Sequence, residues 1–435
     1  MTSIMISTLQ QPVECDRALL RDTTLALTIL QRRRKDRARC KRYVYGDQWK
    51  DRITVDGRVI TEQQYIAEQG NIPLKNNLIR RIVRNVLGVF RDSLEQQGDS
   101  VSHDIALREL HARTMEEFLI GGVAVYRRRK SHDSDNNGID YVSPASFFYD
   151  PYARDPTGAD MTLVGECHNI PFEELTHAFA RNSRDYALLC SLYPPSESDR
   201  CRVYEVWRRE RRPQFIIHDP RRGSVRLEDG GRGSSRPKAP GCNIGWRIED
   251  RWHYYFFTPE GRILASGRSP LEKGSHPYVF TAYPFIDGEV HSFVGDLIDQ
   301  QRYTNRLITL YDWVIRASAK GVLLFPEDAL PAGMDLETVV DEWSRHNGVI
   351  LYTPRPGTPV PQQISSNSTK VGIGELLEIQ LKMLEDVSGV SGALQGKLDN
   401  NAMSGTLYDT QTRNALTALR DLLDTFMSFL RRATS

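Results

Sequence analysis

The 435 residues carry 57 lysines and arginines against 56 aspartates and glutamates, a formal net charge of +1. That balance excludes a protein that holds nucleic acid by bulk attraction, which draws on a basic excess across the whole domain. With 40% hydrophobic residues the chain can bury cores in roughly three domain-sized units. No apolar run spans a bilayer and the opening MTSIMISTLQQPVECD lacks the regions of a signal peptide, so the expectation is a protein neither secreted nor membrane-spanning.

In chain order, the first element is a helix from Asp16 to about Tyr45, with Leu19, Leu20, Leu25, Leu27, Ile29 and Leu30 ahead of a basic run from Arg32 to Arg42. Cations suit the last turns of a helix, and a solvated helix end is the reading preferred over a dedicated phosphate site. YGDQW (45–49) is a loop. PLKNNLIRRIVRNVLGVFRDSLEQ (73–96) places Leu78, Ile79, Ile82, Val83, Val86, Leu87 and Phe90 on one helical stripe, with Arg80, Arg81, Arg84 and Arg91 mostly off it. A helix from about Ser102 to Leu119 ends at Gly121-Gly122, and an alternating strand, Val123 to Arg128, follows.

A second strand, IDYVSPASFFYD, comes after a polar turn, and residues 150–170 read as a turn-rich link. PFEELTHAFARNSRDYALLCSLY reads as one amphipathic helix from Pro171. Between 201 and 290 the aromatic-rich segments VYEVWRRE, QFIIHD, GWRIEDRWHYYFFTP and RILASG alternate as strands, broken by the loop EDGGRGSSRPKAPG. GDLIDQQRYTNRLITLYDWVIRASA is a long helix, GVLLFP and NGVILYTPRPGTPVPQQ supply two strands, ELLEIQLKMLEDV is helix, SGVSGALQGKLDNNAMSG is loop, and TLYDTQTRNALTALRDLLDTFMSFLRR is a final helix.

Chemical motifs in the sequence are fragmentary. Asp133, Asp135, Asn137 and Gly138 match the first half of a calcium loop, but its twelfth position is Pro144 instead of a bidentate glutamate. Gly392 to Lys397 has three residues between its glycines where a phosphate loop needs four, and Leu398 stands where a magnesium-binding hydroxyl belongs. No GxSxG, HExxH or kinase pattern occurs. Cys15, Cys40, Cys167, Cys190, Cys201 and Cys242 are scattered without CxxC or zinc-ligand spacing and read as reduced, packed thiols. By pattern, neither an enzyme nor a metal or cofactor site is expected.

The order of segments says more. YGDQW, PLKNNLIRRIVRNVLGVFR, the Gly121-Gly122 strand, SFFYDPYARDPTGADM, DLIDQQRYTNRLITLYDWVIRASAKGVLLFP and VSGVSGALQGKLDNNAMSGTLYDTQTRNALTAL, in that order, resemble the portal (head-to-tail connector) proteins of short-tailed bacteriophages. Asp299, Gln301, Arg302 and Asn305 match the family's stem-helix motif. The resemblance implies an α+β portal fold: a wing over 1–290 (helical to 120, β-rich from 121), a first stem helix over 291–318, a small α/β clip over 319–368 and a second stem helix over 369–388. A tunnel loop over 389–404 and a long helix over 405–435 toward a short or missing crown complete it.

It further implies a ring of twelve subunits at one capsid vertex, a channel for packaging and ejecting double-stranded DNA, and docking of terminase and of neck or tail adaptor proteins. The ring would sit in the virion after assembly in the host cytoplasm, with major capsid or scaffolding protein as neighbours and no membrane. The tunnel loop would present Gln395, Lys397, Asn400 and Asn401 to DNA. A bore through which DNA slides should not grip phosphates, and the loop's Ser, Gly, Gln and Asn, with Lys397 offset by Asp399, suit that, although an ordinary flexible connection has the same composition. The Arg32 to Arg42 run would lie on the wing, facing shell, scaffold or neighbouring subunits. The competing reading is an enzyme of the packaging apparatus, a motor or nuclease, or failing that a cytoplasmic nucleic-acid-binding enzyme.

Overall fold

A computed structural model of the chain describes residues 15–96, 105–129, 138–194, 200–220, 223–229, 240–271, 274–320, 322–324, 335, 337–340, 357, 362–364, 372–390, 392, 394 and 405–434. In chain order the elements are α1 (Arg17–Val44), β1 (Arg52–Val55), β2 (Arg58–Thr61), α2 (Glu62–Glu68), α3 (Leu78–Gln96), α4 (Ile105–Gly121), β3 (Val123–Arg128), β4 (Ile139–Tyr141) and β5 (Phe147–Tyr149). Then come β6 (Leu163–Pro171), α5 (Phe172–Phe179), α6 (Ser183–Leu192), β7 (Arg200–Asp219), β8 (Ser224–Asp229), β9 (Asn243–Phe257), β10 (Ile263–Arg268), β11 (Tyr278–Ala282), β12 (Phe285–Ile286) and β13 (Glu289–Val290). The chain closes with α7 (Phe293–Lys320), β14 (Val322–Leu324), β15 (Gln362–Ile364), α8 (Ile373–Ser388) and α9 (Gly405–Thr434).

These elements form two compact units, one of residues 1–41, 83–296 and 398–435, the other of 42–82 and 297–397. The second unit gathers 42–82, which the resemblance assigns to the wing, with segments it assigns to stem, clip and tunnel loop.

In the first unit an antiparallel sheet runs β10-β9-β7-β6-β5, with β8 pairing the far half of β7. The period-2 alternation of β7 decides what each face meets. Val203, Glu205 and Trp207 point one way, Tyr204 and Val206 the other. Val203 and Trp207 join Phe147, Tyr149, Tyr254, Phe256 and the smaller sheet β11-β3-β4 in one core. Val206 joins Phe148, Leu163 and Phe257 in a second, which α1 closes with Leu19, Ala26 and Leu30 at helical spacing. The long helix α9 buries Ala415, Leu419, Leu422, Phe426, Phe429 and Leu430. Its Phe426 ring lies 5.2 Å from Phe90 and 5.3 Å from Phe118, and Arg432 donates to the Phe280 carbonyl at 3.0 Å. Gly122 ends α4 with φ +68°, and a Cβ there would stand 2.5 Å from Val290 Cγ1 and 2.7 Å from the His291 carbonyl, so only glycine fits.

Several sequence expectations need amending. Residues 163–171 are not link but the nine-residue strand β6, whose polar Glu166 and His168 find partners inside the fold. The helix expected from Pro171 is two helices: Asn182 Oδ1 caps the second by accepting from Asp185 N at 2.9 Å, and Asp185 Oδ2 accepts from Arg181 N at 3.1 Å. VYEVWRRE and QFIIHD are one strand, β7, running through Pro213, whose fixed φ is compatible with extended backbone. Residues 50–72, to which no element was assigned from the sequence, contain a hairpin turning at Asp56-Gly57 and the helix α2, started by a capping box in which Gln64 N donates to Thr61 Oγ1 at 3.2 Å and Thr61 N to Gln64 Oε1 at 3.0 Å. The strand of GVLLFP pairs with Gln362–Ile364, at the far end of the second strand segment, whose residues 347–356 lie outside the described residues.

The basic run is not simply a solvated helix end. The Arg33 guanidinium lies 4.2 Å over the Tyr149 ring, Arg34 donates to the Ala145 carbonyl, Arg37 Nε donates to Glu117 Oε2 at 2.9 Å, and Arg42 donates to Asp51 at 2.8 Å. Arg33, Arg34 and Arg37 thus tie α1 to the rest of the first unit, which leaves fewer of these cations for an external partner. All six cysteines are free, and Cys15, Cys40, Cys167 and Cys201 are buried. Among the described residues no helix is long and apolar enough to cross a membrane.

Candidate functional site

The motif on α7 sits in the second unit, and the helical period divides it: Gln301 and Asn305 lie one turn apart on the inner face, while Asp299 lies outside with 84% of its side chain exposed. Gln301 and Asn305 are 0% and 1% exposed. Amides buried this deeply must be hydrogen-bonded to be tolerated.

Their partners explain the burial. Gln301 Oε1 accepts from the backbone N–H groups of Leu78 at 3.0 Å and Ile79 at 3.2 Å, two of the donors that the first turn of α3 cannot satisfy by itself. Asn77 Oδ1 accepts from the next one, Arg80 N, at 3.2 Å. The α3 N-terminus is therefore capped both by its own Asn77 and by a side chain 223 positions further along the chain. Gln301 Nε2 donates to the Asn76 carbonyl at 2.6 Å and to Asn305 Oδ1 at 3.0 Å, and Asn305 Oδ1 also accepts from Asn76 N at 3.1 Å.

Asn305 Nδ2 in turn donates to Gln48 Oε1 at 2.6 Å, and Gln48 Nε2 donates to the Tyr43 carbonyl at 2.8 Å and to Asn77 Oδ1 at 3.0 Å. One turn further on, Thr309 Oγ1 accepts from Leu74 N at 3.1 Å while Trp49 Nε1 donates to the Leu74 carbonyl at 3.1 Å. The YGDQW loop, the PLKNN segment and α7 are locked together by this ladder of amides.

Beside it lies a charged cluster. Glu62, 3% exposed at the start of α2, accepts from both Arg302 and Arg306, the latter at 2.7 Å. Asp51 accepts from Arg42 at 2.8 Å and from the Tyr43 hydroxyl at 3.0 Å, and Arg302 Nε is 3.9 Å from it. Burial works against the Arg302 cation, but Glu62, Tyr43 and Asp51 outweigh it and raise its pKa. Asp299 adds a looser contact at 3.7 Å.

A separate cluster in the first unit joins Glu166, His168 and Glu205, whose ligand-type atoms lie within 4.8 Å of one another. It is organised as an ion pair. Arg127 Nη1 and Nη2 donate to the two Glu205 oxygens at 2.8 and 2.9 Å, His168 Nε2 lies 2.9 Å from Oε2, and Trp207 Nε1 donates to Oε1 at 2.8 Å. Burial disfavours the Glu205 carboxylate, yet Arg127 and His168 prevail and hold its pKa down to about 2. A bidentate guanidinium on the central carboxylate takes up the lone pairs a metal would need and repels a cation.

Of the residues singled out from the sequence, Gln301 and Asn305 thus come together in the amide ladder, Arg302 lies in the charged cluster beside it, and Asp299 stands at that cluster's edge. Gln395, Lys397, Asn400 and Asn401 lie outside the described residues. The sequence reading did not pick out Gln48, Asn76, Asn77, Glu62 or Thr309 individually; the available signal was that YGDQW and PLKNN belong to the same ordered set of segments as the α7 motif.

No curated protein sequence matches the chain. Residues 108–435, well over half of it, match the phage P22-like portal protein family, and with a mixed helix and strand architecture carrying the expected long helices in the expected order, the chain belongs to that family.

Proposed function

We propose that the chain is the repeating subunit of a twelve-membered portal ring through which double-stranded DNA is packaged and ejected, with terminase docking at the clip during packaging and neck or tail adaptors afterwards. Membership of the portal family carries the ring at the capsid vertex. The finer assignments rest on the resemblance and on residue chemistry. The ring would form in the host cytoplasm, beside major capsid or scaffolding protein, and the role is structural, with no catalytic step.

Within this reading the α7 motif is a brace. Gln301 directs all four of its amide hydrogen bonds, and Asn305 at least three, to the chain's own backbone and side chains, so they serve to hold α7 against the YGDQW and PLKNN segments and, being buried, do not face DNA. Gln395, Lys397, Asn400 and Asn401 are assigned to the channel lining, where small, nearly neutral side chains would let phosphates slide. Native mass spectrometry of the purified chain tests the subunit number: twelve copies are expected, and another closed number would overturn that part of the proposal. Asn400→Lys with Asn401→Lys should slow DNA ejection from particles that still assemble; unchanged ejection would remove these residues from the bore.

A further inference from the structure

The second unit leaves two apolar features unpartnered among the described residues. On α8 the buried face is Ile373, Gln380, Leu384 and Ser388, yet Leu376, Ile379, Met383 and Val387 form a second stripe beside it, each 47–51% exposed. Their spacing of three or four residues sets them in one row over roughly 16 Å of helix. The other feature is a groove of about 370 Å³ alongside α7, lined by Trp49, Ile53, Tyr65, Ile66, Leu310 and Trp313. Leu310 and Trp313 are 41% and 51% exposed, one turn apart.

A ring built from identical subunits needs a heterologous contact, in which one surface of each copy meets a different surface of the next. A helical row of aliphatic side chains and an aromatic-walled groove are complementary shapes of that kind. Charge agrees. Around its stripe α8 carries Glu375, Glu378, Glu385 and Asp386 against Lys382 alone. At the groove the carboxylate of Glu62 is buried while Arg306 is half-exposed, so the charge that the lining presents to an approaching acidic helix is the Arg306 cation.

We infer that the Leu376–Ile379–Met383–Val387 stripe of one copy seats in the α7 groove of its neighbour, a contact that rests on the ring reading and supplies an interface for it. Met383→Cys, combined in turn with Tyr65→Cys, Leu310→Cys and Trp313→Cys, should give a ladder of disulfide-linked multimers on mild oxidation of assembled rings. Each single variant should give none. Met383→Glu should lower the ring fraction by about tenfold at fixed protein concentration, with Arg306→Glu less severe, and a near-native circular dichroism spectrum would show that the subunit itself still folds. Rings that form normally in Met383→Glu and give no ladder with any of the three pairs would overturn the contact while leaving the ring intact. A parent chain that never forms rings would overturn the ring reading, and this contact with it.

Discussion

Gln48 and Asn305 are joined amide to amide at 2.6 Å, with both side chains almost wholly withdrawn from solvent. Each is also bonded elsewhere, Gln48 to the Tyr43 carbonyl and Asn305 to Asn76 N, so that removing either one orphans more than one group. Asn305→Ala strands the Gln48 oxygen and the Asn76 N–H at once. A loss of about 2–4 kcal/mol is expected from a buried amide oxygen and a partly buried N–H left unsatisfied. Urea denaturation measures it, and a double-mutant cycle with Gln48→Ala should show the two losses to be strongly non-additive.

Arg302 and Arg306 both reach Glu62, but from different depths. Arg302 is 23% exposed at its side chain and also approaches Asp51, whereas Arg306 is 50% exposed. Arg302→Ala should therefore cost roughly 1–3 kcal/mol and weaken ring assembly, and Arg306→Ala should cost below about 1 kcal/mol in the isolated subunit. Equal losses for the two would contradict the arrangement around Glu62. Normal assembly of Arg302→Ala with lost DNA passage would move Arg302 from the brace to the channel.

Much of this architecture can be read from the amino acids, and the gaps have physical causes. The stripes of α1, α3, α7 and α9 repeat at helical period over long runs, which is the strongest local signal a chain offers. The strand β6 is hidden because LVGECHNIP mixes Gly165 with Glu166, His168 and Asn169, and becomes acceptable only when Ser146 and Glu205 supply partners. Gln301, Arg302 and Asn305 stand out through the order of family segments. The acceptors and donors they serve, at Gln48, Glu62 and residues 76–79, are more than 220 positions away, a distance over which sequence spacing carries no pairing information.

Acid should unfold the first unit in two windows. His111, 3% exposed, has its Nδ1 2.9 Å from the Tyr126 hydroxyl, and burial lowers its pKa to about 4. An unfolded His111 binds its proton near pH 6.5, so the folded state loses stability as pH falls from about 6.5 to about 4. Glu205, held at about 2, contributes stability above its unfolded value near 4.5, and this is lost as pH falls from there toward 2. Thermal melts at stepped pH should show both declines, and Glu205→Gln should flatten the lower one.

Phe426 anchors α9 through Phe90 and Phe118, and its ring also packs 5.5 Å from that of Phe429 on the same helix. Phe426→Ala should cost about 3–5 kcal/mol by leaving a cavity among these rings. Calorimetry of the variant checks the value, and limited proteolysis should then cut within α9 ahead of the β7–β9 sheet. A loss under about 1 kcal/mol would show that α9 is not held by this cluster.

In the proposed function, identical copies of this chain close into a portal ring with no motor activity of its own. Negative-stain microscopy of the purified protein, with an ATPase assay on the same sample, tests it most directly. Closed rings with a central hole and no ATP hydrolysis are the predicted result; a monomer that hydrolyses ATP would contradict it.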